Sequence, residues 1–143
     1  VIDGQAFRWS LGAMLVRIIN GSVEGMRIAV KSAELAAKST RLFNDRSGYL
    51  RQHITSETSG LKGKVVAAAK YAVFVENGTK PHDITAKGGT LAFMQAGQMR
   101  FAKTVHHPGT AARPFMGEAK VIGQEILELA VNNALDSAIE RSK

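Results

Sequence analysis

Four histidines, His53, His82, His106 and His107, are the side chains best suited to metal or acid–base chemistry. His82-Asp83 and His106-His107 bring nitrogen and oxygen donors close together in sequence. Adjacent residues on a strand point to opposite faces, so His106 and His107 do not share an ion. No carboxylate stands at helical spacing from either pair, and no H-E-x-x-H pattern exists. These read as turn and loop histidines beside prolines, with no metal and no cofactor. Ser10, Ser22, Ser32, Ser39, Ser47, Ser56 and Ser59 show no nucleophile-elbow pattern. Gly88-Gly89 and Gly60-x-x-Gly63 lack the lysine and hydroxyl that complete a phosphate cradle. The chain has no cysteine, which removes thiol catalysis, disulfides and cysteine zinc sites together. Residues 38–113 hold only four carboxylates, a poor supply for paired-carboxylate chemistry. The expectation is a protein that is not an enzyme.

The elements that position these residues follow from periodicity. From Gly4 to Lys38 the apolar residues Leu11, Leu15, Ile19, Val23, Met26, Val30, Ala33 and Ala37 recur at steps of three or four, on one helical stripe. Asn20-Gly21-Ser22 interrupts it with turn formers while the phase persists, which favours one long helix over two. Ala29, Ala33, Ala36 and Ala37 allow close packing against a sheet or another helix. Asn44 to Gly48 reads as a loop. Residues 49–57 open with the apolar anchor Tyr49-Leu50 and continue as a strand through Ile54. A turn spans Gly60 to Gly63, and a second strand Lys64 to Ala69. Tyr71 to Glu76 fits strand or helix equally, and Asn77-Gly78 closes it. Leu91–Met94 and Met99–Val105 flank Gln95-Ala96-Gly97-Gln98 as a hairpin, which His107-Pro108-Gly109 breaks. Phe115 to Arg141 is helical again, with Phe115 as an anchor. Its apolar residues form two sets, Ile122, Ile126 and Leu129 against Leu127, Val131 and Leu135, well over 100° apart. The second set is a candidate subunit interface; a bent helix wrapping its own domain is the other possibility.

A chain of 143 residues fits one domain, 1–143. Its net charge of +7 is unevenly spread. Residues 38–113 hold twelve basic against four acidic side chains, whereas residues 114–143 hold three against five. Lys62, Lys64, Lys80, Lys87, Arg100 and Lys103 therefore set up a positive field suited to polyanions or acidic protein surfaces. A merely soluble basic surface explains the same charges. Sparse aromatics argue against sequence-specific DNA binding. No apolar run reaches membrane-span length, and the first residues lack a signal-peptide pattern, so assembly in a cytoplasm and no membrane contact are expected.

Several short segments, in order, carry a resemblance. Asp45-Arg46-Ser47-Gly48-Tyr49-Leu50-Arg51-Gln52-His53-Ile54 follows the first helix. Tyr71-Ala72-Val73-Phe74-Val75-Glu76-Asn77-Gly78-Thr79 and Lys80-Pro81-His82-Asp83-Ile84 come next. His107-Pro108-Gly109-Thr110 and Arg113-Pro114-Phe115-Met116 precede the last helix. Together they resemble the head–tail joining or tail-completion family of HK-type long-tailed bacteriophages, over about residues 22–120. The resemblance implies an α+β fold, with a small antiparallel sheet packed against a long N-terminal helix and a C-terminal helix, assembling into a ring. Its motif positions here are Gly48, Leu50, Arg51, Tyr71, Glu76, Gly78, Thr79, Pro81, His82, His107, Pro108, Gly109, Arg113, Pro114 and Phe115. It implies structural roles at these positions and no catalysis. It further implies a virion neck or tail location and a homo-oligomeric ring, a hexamer. The partners implied are a head connector or stopper, a tail terminator or tail-tube protein, and genomic DNA passing without sequence specificity. A basic nucleic-acid-binding module is the competing expectation.

Overall fold

The computed structural model describes residues 4–141, with side chains described from Gly12 onward. Helix α1 runs unbroken from Gly4 to Ser39, through Asn20-Gly21-Ser22. Helix α4, Phe115–Glu140, lies antiparallel to it along the most extensive contact in the molecule. The seam between them is built from small residues. On α1, Gly21, Gly25, Ala29 and Ala33 recur every four positions and meet Ala134, Ala130 and Gly123 of α4. A Cβ on Gly21 or Gly25 would lie 2.6 Å from the Cβ of Ala134 or Ala130, so these glycines are what let the backbones approach. Asn20-Gly21-Ser22 is therefore a packing site within a helix, and the propensity cost of glycine there, about 1 kcal/mol, is offset by that contact.

The expected stripe on α1 is only partly buried. Val30, Ala33 and Ala37 are buried and Val23 and Met26 half-buried, but Leu15 and Ile19 are exposed; the side chain of Leu11 lies outside the described residues. Gly21 opposite Ala134 and Gly25 opposite Ala130 bring Leu15 level with Glu140, the end of α4. The segment Gly4–Met14 therefore extends beyond its partner helix, by roughly 16 Å at the α-helical rise.

Between the long helices, Tyr49–Gln52 forms a single helical turn, α2, and not the start of a strand. Gly48 enters it at φ 73°, Ser47 Oγ accepts from the Tyr49 N–H, and Asp45 Oδ2 accepts from the Arg51 N–H at 2.9 Å. These local acceptors outcompete a strand that would have only one free edge to pair. Strands β1 (Ile54–Ser59) and β2 (Lys62–Ala67) form an antiparallel hairpin on α1. The second strand is thus two residues earlier than the sequence pattern predicts, and Ala69 falls instead in the core. Tyr71–Glu76 resolves as helix: α3 spans Ala72–Asn77. The core gathers at this end, where Phe43, Leu50, Ile54, Ala72 and Phe115 pack with Ala33, Ala37 and Ala119.

The rest of the chain is a ribbon. β3 (His82–Thr85) pairs with β6 (Thr104–His107), and β4 (Leu91–Gln95) with β5 (Gln98–Ala102), closed by the two-residue turn Ala96-Gly97. The expected strand Met99–Val105 is split at Lys103, where Lys87 to Thr90 bulge from the opposite side. The fold is α+β, but among the described residues it has three two-stranded sheets in place of one. Among the described residues β1 and β2 pack on α1, whereas in the ribbon each strand's main contact is its own pairing partner.

Candidate functional site

The motif residues fall into two groups, one clamping the helix ends and one at the root of the ribbon. In the first, the Arg51 guanidinium donates to the carbonyls of Lys38, Thr40 and Phe43 and stacks 4.7 Å above the Phe43 ring. It thereby satisfies carbonyls left open at the C-terminal end of α1. Glu76, on α3, accepts from the amides of Met116 and Gly117, each at 2.9 Å. Its carboxylate supplies the N-terminal cap of α4 that Pro114 cannot provide from its own side chain. Phe115, fully buried, meets Phe43 edge to face at 4.9 Å. Leu50 is buried beside them.

The second group builds the ribbon root. Thr79 and Thr110 exchange backbone hydrogen bonds of 3.0 and 3.1 Å, in the same register as β3–β6. Gly78 and Gly109 flank this bridge at φ 70° and 84°. A Cβ on either would sit within 2.4 Å of the Thr110 or Thr79 carbonyl oxygen, so both space and backbone angle demand glycine. Arg113 donates its backbone N–H to Val75 and joins α3 to the segment before Pro114. Pro108 follows β6 directly and ends it.

An open cleft of about 810 Å³ lies between α3 and the ribbon root, lined by Tyr71, Phe74, Pro81, His82, Ile84 and His107 among others. His82 and His107 face each other across the strands with ring centroids 5.1 Å apart. His107 Nδ1 accepts from the Gly109 N–H, and His82 Nδ1 donates to the Lys80 carbonyl. On the other face His106 Nδ1 meets Asp83 at 2.8 Å. The strand geometry thus separates His106 from His107 as the sequence predicts, and cross-strand pairing supplies each with a partner the sequence does not reveal. Among the described residues no three metal-binding side chains converge.

The six basic residues divide between two elements. Lys62 and Lys64 are on β2, where Lys64 meets Glu57 at 2.9 Å; Lys80, Lys87, Arg100 and Lys103 are on the ribbon. On α4, Leu127 and Val131 are half-buried and Leu135 more exposed, while Leu129 of the other set is 62% exposed. Both sets flank the small-residue seam; the sequence marks Ala29 and Ala33 for close packing, but not Gly21, Gly25 or their α4 partners Ala134, Ala130 and Gly123. Leu127 lines a groove of about 550 Å³ with Met26, Val30 and Val65 of its own chain.

No protein-family model, curated protein or solved structure matches the chain. Among the described residues no helix is long and apolar enough to cross a membrane.

Proposed function

We propose that this chain is a structural subunit of the neck or tail top of a long-tailed bacteriophage or prophage. Six copies form a ring that joins the head connector or stopper to the tail terminator or tail tube, around the DNA passage. The subunit assembles in the host cytoplasm and catalyses nothing. The family resemblance of the motif segments supplies the identity of this reading, and one observation supports self-assembly. Large apolar side chains stand exposed on both long helices and on the ribbon, including Val16, Ile19, Leu35, Met94, Phe101 and Leu129.

The basic side chains fit a ring in which some face the channel and others a neighbouring acidic surface; attraction to the phosphate backbone is diffuse and screened by salt, letting a genome slide. Negative-stain microscopy of the purified protein tests the ring, with closed particles around a central hole as the expected result. Weak, salt-sensitive DNA affinity is expected of the isolated subunit. In a phage complementation assay, Lys62→Glu, Lys64→Glu, Lys80→Glu and Lys103→Glu together should lower infectious titre. A monomer with tight DNA binding would favour the nucleic-acid-binding module, and normal titre from the fourfold variant would reduce the basic segment to a solubility feature.

A further inference from the structure

The ribbon is the part of the molecule least explained by its own fold. An isolated two-stranded hairpin is marginal in water, because it buries neither face. Here β4–β5 presents Ala92, Met94, Met99 and Phe101 on one face, in register across the strands and wholly apolar. Met94 and Phe101 are 63% and 68% exposed. Lys80, Lys87, Arg100 and Lys103 punctuate the ribbon, and none has a salt-bridge partner among the described residues.

The outer face of α4, turned away from α1, has the opposite character. Val121, Ile122 and Leu129 are exposed there, interleaved with Glu118, Glu125, Glu128 and Asp136. At 100° per residue these seven positions fall within about a third of the helix circumference. None of the four carboxylates has a salt-bridge partner among the described residues. The dimensions also agree. Five-residue strands span about 17 Å, and Val121 to Leu129 spans about 12 Å with acidic residues beyond both ends.

We propose that the ribbon of one subunit lies along the outer face of α4 in a second copy of this chain. Met94, Met99 and Phe101 pack on Val121, Ile122 and Leu129, and Lys87 and Lys103, at the bulge beside them, face the α4 carboxylates; Arg100, paired with Phe93, is on the ribbon's other face. The two surfaces differ, so the contact is head-to-tail, and each subunit both gives a ribbon and receives one. This rests on the ring reading and specifies how the ring closes.

Because the chain has no cysteine, introduced thiols report contacts without background. Phe101→Cys and Leu129→Cys chains, mixed and oxidised, should give a covalent heterodimer, and the chain carrying both should give a ladder. Phe101→Cys mixed with Leu61→Cys, at the exposed β1–β2 turn, should not. In cysteine-free protein, reversing Lys87 and Lys103 to Glu should weaken self-association roughly tenfold or more, whereas Arg100→Glu on the other face of the ribbon should not. The triple substitution Glu118→Lys, Glu125→Lys and Glu128→Lys should weaken it as the lysine reversals do, and combining both sets in one chain should restore assembly. Circular dichroism confirms that each variant is folded. Rings that form but cross-link elsewhere would overturn this contact and leave the ring reading standing. So would assembly that survives ribbon reversal while DNA affinity or capture of a different neck protein is lost. A wild-type chain that stays monomeric by sedimentation at its highest soluble concentration would overturn the second copy as occupant. Particle micrographs and complementation judge the neck role independently.

Discussion

Glu34 is a carboxylate only 5% exposed, held between Lys31 at 2.8 Å and Lys38 at 2.5 Å and accepting from Ser56 of β1 at 2.5 Å. Hydrogen bonds from the two lysines and the serine outweigh its desolvation and lower its pKa from 4.5 to about 2. A carboxylate depressed in the folded state contributes stability that is fully present above its unfolded pKa and lost as pH falls through the folded one. Glu34→Gln should therefore lower stability at neutral pH by about 1–3 kcal/mol. It should also flatten the decline between pH 4.5 and about 2, as read from denaturant melts at stepped pH. Arg51 is equally specific to its place. Its planar fork reaches three carbonyls at once, a geometry lysine cannot copy. Arg51→Lys should cost about 1–2 kcal/mol and Arg51→Ala about 2–3 kcal/mol, measured by urea denaturation.

At the scale of elements, the α1–α4 seam and the ribbon root obey opposite glycine logic from an open helix surface. Gly25→Ala places a methyl where Ala130 already stands, so the helices must separate; a loss of about 1–3 kcal/mol is expected. Gly12→Ala, on the same helix with nothing within 4 Å, should instead gain about 0.5–1 kcal/mol. Thermal melts of the two variants side by side give opposite signs if the seam is what Gly25 serves. The long helices are also tied in trans: Arg51 closes the end of α1, and Glu76 opens α4. Two short helices thus act as fasteners for the long ones, which is why the motif segments cluster around them.

For the whole molecule, stability and assembly reside in different parts. The buried core involves no ribbon residue from β3 to β6. Lys80 and Gly109 face each other in the root register, so the ribbon between them can be replaced by a short glycine link. Deleting residues 81–108 in this way should change the unfolding free energy by less than about 1 kcal/mol, because few buried contacts are lost. The same deletion should abolish self-association in sedimentation analysis. A truncated chain that unfolds would show the ribbon to be part of the fold, and one that still assembles would show it to be dispensable for assembly.

The sequence by itself determined the long helices, the two hairpin turns and the breaks at Gly78 and His107-Pro108-Gly109, because period, propensity and backbone restriction are local. Gly78 and Gly109 were legible as positions where a segment ends, and Phe115 as an anchor. Glu76 was legible as a motif position, but not as the cap of a helix forty residues away. On α1 the buried half of the stripe, Val30, Ala33 and Ala37, was legible, but tertiary structure alone decided which face of α4 meets it. The large apolar residues of α1 and α4 suggested leucine and isoleucine stripes, yet the helices meet through glycine and alanine, since close backbone approach gains dispersion contact that a larger side chain would prevent. Tertiary structure also turned Tyr49–Gln52 into a helical turn, through Asp45 and Ser47, and drew β3 to β6 away from the core as a ribbon. A period-two pattern marks a strand with an apolar face, but only three-dimensional packing decides whether that face is covered within the chain or left for another molecule.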